Sequence, residues 1–225
     1  MNLMTKYAPK TIDDVIFVDP AAKIVVDMLV TGASAGHLVL HGPNGTGKTS
    51  LARLLPKAIG GSDAWVEQLQ FEDMLSMKGL REYISRCCNL ARFVPTKYFA
   101  VWHEIDNTKL RQDLFWTALD DAGDDAMVIV TTNHPAKLHP SLLNRCHRVE
   151  MPRIPPESML ARAQWILQQE GVTLPDDQTL HYLRSAAASG SLRAYMRALA
   201  IIIHLQSQGK ALPPSTESAP VLRVV

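Results

Sequence analysis

Apolar positions in this chain gather into short unbroken runs at residues 38–40, 98–102 and 126–130, the last extended to 132 by two threonines, with a weaker run at 146–151. A run that is apolar at every position, rather than at every second one, predicts a strand buried on both faces, as in a parallel sheet. Between the runs, apolar residues at spacings of three and four predict helices near residues 20–31, 49–58, 72–91, 108–121 and 139–144. Strand alternating with helix predicts an α/β domain, a parallel sheet sandwiched by helices. Trp102 falls in a strand run, Trp116 and Trp165 fall at core-like helical positions, and Trp65 belongs to neither pattern.

The rhythm changes at Pro152-Arg153-Ile154-Pro155-Pro156. Beyond it every periodic stretch is helical. Pro156 suits a first helical turn, and Gly171 stops the helix that starts there. Asp176 or Asp177 caps a second helix, and Ser191 caps a third that runs over 192–206. The expected organisation is an α/β domain over 1–151, a small all-helical lid over 152–206, and a mobile tail over 207–225 rich in proline, serine and threonine.

Composition narrows the function classes. Hydrophobic residues make up 47% and charged residues 20%, so the chain has the means to bury an ordinary core. A net charge of +1 excludes a global basic field, and any nucleic-acid contact must come from a local patch. Cys87, Cys88 and Cys146 show no metal-binding spacing and are odd in number, which suits a reducing compartment. The first residues lack the apolar core of a signal peptide, and no run approaches the ~20 apolar residues of a membrane span. A soluble cytoplasmic protein without membrane partners is the expectation.

The candidate chemistry sits between the first run and the next helix. Gly42-Pro43-Asn44-Gly45-Thr46-Gly47-Lys48-Thr49 reads G-x-x-x-x-G-K-T, and Ser50 continues into the helix. Strand, glycine-rich turn and helix are the context in which backbone N–H groups turn inward around phosphate oxygens. All nine residues from Gly42 to Ser50 are therefore expected nucleotide contacts. Lys48 reaches the β- and γ-phosphates in such a loop, and the Thr49 hydroxyl faces Mg²⁺. Acidic residues at the end of a neighbouring buried strand would face the γ-phosphate. Glu104, in His103-Glu104-Ile105-Asp106, is the candidate for polarising the attacking water. Asn133 closes the third run and is placed to hold the same water or the γ-phosphate; a simple loop cap before His134-Pro135 is the other reading.

From Lys6 to about Gln206 the chain resembles AAA+ ATPases of the clamp-loader type. Lys6-Tyr7-Ala8-Pro9-Lys10-Thr11-Ile12-Asp13-Asp14-Val15 is similar to the family's adenine-covering segment K-Y-x-P-x-x-F-x-D-V, which implies nucleotide contacts at Tyr7, Pro9 and Val15. Leu114-Phe115-Trp116-Thr117-Ala118-Leu119-Asp120-Asp121 resembles L-L-K-x-L-E-E. Val130-Thr131-Thr132-Asn133 looks like the sensor-1 strand, with Asn133 the sensor. Asn144-Arg145-Cys146 resembles the S-R-C motif, whose arginine reaches a neighbouring subunit's ATP, and Gly190-Ser191-Leu192-Arg193 resembles the sensor-2 start, which carries Arg193 to the γ-phosphate. Met77-Lys78-Gly79-Leu80-Arg81-Glu82 is similar to a segment that tracks DNA, with Lys78 and Arg81 as its contacts.

The chain departs from that family in two places. His103 stands where the family has the aspartate that holds Mg²⁺ through water, so His103 and Asp106 join Thr49 as metal candidates, and turnover is expected to be weakened. The collar domain that joins subunits would follow Gln206, where only the short tail remains, so assembly is expected through the ATPase faces or through partners. The resemblance implies an oligomeric, ATP- and Mg²⁺-dependent assembly factor acting on DNA, homo- or hetero-oligomeric, with a clamp or effector as protein partner. Two alternatives stay open: a nucleotide-gated scaffold with little or no turnover, and a transposition-regulator or helicase-loader ATPase.

Overall fold

The unbroken apolar runs become the inner strands of one sheet. In the computed structural model, which describes residues 2–70, 89, 97–105, 120, 126–186 and 190–212, the elements in order are α1 (Leu3–Lys6), α2 (Pro20–Val30), β1 (His37–His41), α3 (Lys48–Gly60), β2 (Trp65–Gln70), β3 (Tyr98–His103), β4 (Ala126–Thr132), α4 (Pro140–Leu143), β5 (Cys146–Glu150), α5 (Pro156–Gln169), α6 (Asp176–Ala186) and α7 (Leu192–Ser207). The helices expected near 72–91 and 108–121 lie outside the described residues, Asp120 and Asn89 apart. No helix among the described residues is long and apolar enough to cross a membrane.

The chain divides into two units, one of Lys10–Pro43 and Lys48–Met151, the other of residues up to Pro9, Asn44–Gly47 and those from Pro152 onward. The first holds the sheet, ordered β2-β3-β4-β1-β5 with every neighbouring pair parallel. All residues of β3 and β4 are buried, as strands covered on both faces must be. β2 has no counterpart among the apolar runs. It is an edge strand, with Trp65 and Val66 exposed and the Glu67 carboxylate accepting a 2.6 Å hydrogen bond from the Tyr98 hydroxyl. An edge strand that mixes apolar and polar positions gives no unbroken run to read.

α3 carries the chain from β1 to the far edge at β2, and β5 later pairs on the other side of β1. Strand order therefore reverses at β1, and the crevice beyond the strand C-termini is where sheets of this kind bind ligands. Asp19 starts α2 by accepting from the Ala21 N–H at 2.9 Å, with Pro20 in the first turn. The core of this unit joins Val26 of α2, Leu51 and Leu55 of α3, Leu40 of β1, and Phe99 and Val101 of β3. Each such side chain, fully buried, contributes roughly 1.5–3 kcal/mol. Since side chains alternate along a strand, His103 lies on the same face as Phe99 and Val101, the face that meets α3.

The second unit is helical. Ser191 caps α7 through a 3.2 Å bond from the Arg193 N–H to its Oγ, and α7 buries Tyr195, Leu199 and Ile202 along one stripe. The Tyr195 hydroxyl donates to the Ile154 carbonyl at 2.6 Å. Gly171, at φ +72°, follows the end of α5. α1 belongs to this unit: Lys6 and the Tyr7 hydroxyl both donate to Glu170, at 2.7 and 2.6 Å. Trp165, expected in the core, is instead 42% exposed on α5, its ring edge-on to Tyr7 and covered by the Arg162 guanidinium at 4.4 Å. Trp165 lies off the buried stripe of Met159, Ala163 and Ile166, and the Arg162 guanidinium covers the face it leaves open.

Candidate functional site

Gly42, Gly45 and Gly47, in the loop between β1 and α3, have φ of +138°, +80° and +104°, a region closed to side-chain-bearing residues except under strain. At Gly42 a Cβ would stand 2.2 Å from the carbonyl oxygen of Met151. That neighbour is fixed backbone, since the Met151 N–H donates to the His41 carbonyl at 2.7 Å. At Gly45 a Cβ would stand 2.2 Å from the Ser191 Oγ, and the Gly45 carbonyl accepts from the Leu192 N–H at 2.9 Å. Arg193, exposed, is the next residue after Leu192, so the start of α7 brings it beside the tip of the loop.

Lys48 is buried at the head of α3, and its Nζ donates to the Gly42 and Pro43 carbonyls, both at 2.7 Å. The ammonium is thus held over the loop that precedes it. Asn44 is exposed, Thr46 is buried, and Thr49 and Ser50 occupy the first helical turn with Thr49 exposed. The first-turn N–H groups of α3 lack helical acceptors and point toward the loop.

β1, β3 and β4 are parallel, so their C-termini share one edge of the sheet. His41 pairs with Thr132, which sets Asn133, half-buried, beside Gly42 as the two strands end. On the other flank of β4, β3 ends in His103 and Glu104. Glu104 is exposed and is the one non-glycine residue at positive φ among those described, at +54°. Its N–H donates to the Thr131 Oγ1 at 3.2 Å. Non-glycine residues in this region cost free energy and gather at sites where backbone direction matters.

His103 is 8% exposed, and neither Nδ1 nor Nε2 has a hydrogen-bond partner among the described residues. Burial lowers its pKa, and the positive charge of Arg53 lowers it further. The ring is neutral at physiological pH. A triphosphate fits the glycine-rich loop with its lysine and helix N-terminus. A magnesium ion fits Thr49 but finds no oxygen at His103, where a buried imidazole stands instead. Asp106, Lys78 and Arg81 lie outside the described residues.

Arg145 lies at the opposite end of the sheet. Cys146 pairs with His37, the first residue of β1, whereas the phosphate loop follows His41. A five-residue strand at ~3.3 Å per residue separates the two by roughly 15 Å, so Arg145 does not serve its own chain's loop. Its Nε and Nη2 donate to the two carboxylate oxygens of Asp120 at 2.6 and 2.8 Å, and its Nη1 donates to the Ser141 carbonyl at 3.1 Å. The bond from Arg145 holds the Asp120 carboxyl below its usual range. Burial pushes the adjacent Cys146 thiol up to about 12, which leaves it inert.

Of the adenine-segment residues, Tyr7 is buried with its hydroxyl on Glu170, Pro9 is half-buried, and Val15 packs on the core of the sheet unit. Burial raises the Tyr7 pKa, and the bond from Lys6 lowers that of Glu170. Sequence reasoning did not find Thr131, Asp120, Arg53 or the approach of Ser191 to Gly45. Ser191 left a signal as a helix cap, and Thr131 and Asp120 stood within motifs without a role of their own; their roles come through neighbours distant in sequence.

Residues 38–153 match the model of the AAA family, ATPases associated with various cellular activities. The chain is similar to replication factor C small subunit 2 of Pyrobaculum arsenaticum, 25% identical over 177 residues that cover 76% of this chain and 54% of the relative. It is similar to replication factor C subunit 4 of Caenorhabditis elegans, 27% identical over 185 residues, 77% of this chain and 54% of the relative. The chain spans about half the length of these curated relatives. In fold it is similar to the Thermotoga maritima RuvB Holliday junction branch migration motor, with a TM-score of 0.69 at 18% identity over 91% of this chain and 68% of that one.

Proposed function

This chain belongs to the AAA family of ATPases, and from that premise we propose that it binds ATP between β1 and α3, hydrolyses it within an oligomer, and uses the cycle to engage and release DNA as clamp loaders do. The observation that carries this reading is the division of the candidate groups between the two ends of the sheet. Lys48, Glu104 and Asn133 stand at one end and Arg145 at the other. Each site is then completed by the neighbouring subunit.

In this reading the loop N–H groups and Lys48 bind the phosphates, Arg193 contacts the γ-phosphate, Glu104 takes a proton from water, and Asn133 orients that water. Magnesium, when bound, spreads the charge of the transferring phosphoryl group; Thr49 is the residue placed to hold it. Lys78 and Arg81 contact DNA phosphates, which makes DNA binding fall steeply with salt. The replication factor C relatives support the clamp-loader-like assignment.

The test is a mixing experiment. Lys48→Ala loses nucleotide binding and ATP-dependent assembly. Arg145→Ala binds ATP normally but turns it over slower by ~10³-fold. Mixing it with Glu104→Gln restores part of the turnover, because each variant supplies what the other lacks. Full turnover in Arg145→Ala alone overturns the reading.

A second reading rests on His103. A neutral buried imidazole at the metal position favours a nucleotide-gated scaffold that assembles on ATP and turns over little. ATP-driven assembly with background hydrolysis, in the presence of DNA and Mg²⁺, would select it.

A further inference from the structure

His103 bears on more than turnover. Its ring is more than nine-tenths buried, yet both nitrogens lack a partner among the described residues. Such a group is destabilising unless something meets its lone pair. An unsatisfied buried polar atom in a native fold calls for a partner, a bound ion among them.

The surroundings indicate which partner. His103 lies at the C-terminal end of β3, on the face shared by Phe99 and Val101, which pack with Leu51 and Leu55 of α3. Thr49 and Arg53 are four apart on α3 and so share one stripe of that helix. Arg53 lies near enough to His103 to act on its ring electrostatically. The imidazole therefore lies at the C-terminal end of β3, on the face of the sheet that α3 covers, the helix that opens with Lys48 and Thr49. A cation held there by phosphate oxygens and the Thr49 hydroxyl would have the neutral His103 imidazole as a nearby nitrogen donor among the described residues.

Magnesium is a poor match for that neighbour, because it demands oxygen ligands in near-ideal octahedral geometry. First-row transition ions accept phosphate oxygens and an imidazole nitrogen together, with affinity rising from Mn²⁺ to Co²⁺. We propose that His103 makes this nucleotide site selective for a first-row transition ion, Mn²⁺ or Co²⁺, over Mg²⁺, with the imidazole nitrogen in the ion's coordination sphere. This rests on the reading of the loop as a nucleotide site.

The experiment measures binding of a fluorescent ATP analogue to the full chain in Mg²⁺, Mn²⁺ and Co²⁺, without reference to turnover. Binding is expected to be tighter in Mn²⁺ than in Mg²⁺ by about tenfold, and tighter again in Co²⁺, the scale of one polar contact. His103→Asp brings the Mn²⁺ to Mg²⁺ ratio back toward one. His103→Leu, which suits a buried position and guards against misfolding of the carboxylate variant, also collapses the ratio while Lys48 keeps the phosphates bound. Pulsed electron paramagnetic resonance of the Mn²⁺–nucleotide complex shows nitrogen modulation in the wild type and none in either variant. Equal binding in Mg²⁺ and Mn²⁺, or nitrogen modulation that survives loss of His103, overturns this inference and leaves the nucleotide site intact. Failure to bind nucleotide with any ion overturns the proposed function and this inference with it.

Discussion

Glu104 offers a test in which the sign of an effect, rather than its size, decides. At an ordinary exposed position glycine is less stable than alanine by roughly 0.5–1 kcal/mol, because it gives up more backbone freedom on folding. Glu104 is not ordinary: its φ is +54°, with the N–H tied to Thr131 at 3.2 Å. A residue carrying a Cβ is disfavoured there by about 1–2 kcal/mol, and glycine is not. Against that gain stands glycine's larger unfolded-state entropy, about 0.4–1 kcal/mol. The balance predicts that Glu104→Gly is more stable than Glu104→Ala by about 0.5–1 kcal/mol. At 2–4 °C per kcal/mol for a chain of this size, that is a melting difference of roughly 1–4 °C. Both variants lose the carboxylate, so both should bind ATP and lose turnover equally. Thermal unfolding of the pair, with a single-turnover assay on each, provides the check. Alanine melting above glycine would refute the strained conformation and the argument that backbone geometry aims Glu104 at the phosphate end.

Three further outcomes follow from the geometry. Gly42→Ala meets both positive φ and the Met151 carbonyl at 2.2 Å, while Gly61→Ala meets positive φ with nothing within 4 Å; chemical denaturation should show the first costing about 2–4 kcal/mol more than the second. Asp120→Asn frees the Arg145 guanidinium from its bidentate partner; the KM for ATP is expected to stay put while kcat changes with assembly, and no change in kcat would show the pair to be a bystander. The Glu170 pKa is lowered by Lys6 and Tyr7, so its contribution to stability is complete above the usual carboxylate pKa and is lost as pH falls through the lowered value; Glu170→Gln should flatten that acid limb of a melting curve, and an unchanged limb would count against the contact.

Much of the fold was legible because burial on both faces leaves a plain trace. The runs at 98–102 and 126–130 are apolar throughout since no face of β3 or β4 meets solvent. The phosphate loop was legible because positive φ demands glycine, and glycine can be seen in a sequence. β2 was not, as an edge strand tolerates polar residues. Nor was Trp165, whose bulk suggests the core but which lies off the buried stripe of Met159, Ala163 and Ile166, under the Arg162 guanidinium. Within the site, residue types announced Lys48, Thr49, Glu104 and Asn133. The grip of Asp120 on Arg145 and of Thr131 on Glu104 joins residues 25 and 27 apart. Such pairs become visible only once the sheet sets them side by side.

The distance between Lys48 and Arg145 also limits how copies of this chain can meet. A two-fold dimer sets each copy's Arg145 end against the other's phosphate end only if the two lie antiparallel, and that contact stops at two copies. On the proposed role of Arg145, head-to-tail contacts set one copy's arginine against the next copy's phosphates without that limit, and repeating such a contact gives either a closed ring or an open helix. The open form has a direction, and its two terminal subunits differ: one offers an arginine with no nucleotide to meet, the other a nucleotide with no arginine. If the winding stops short of closure, one pocket stays incomplete, and a gap in the assembly is fixed at a defined place.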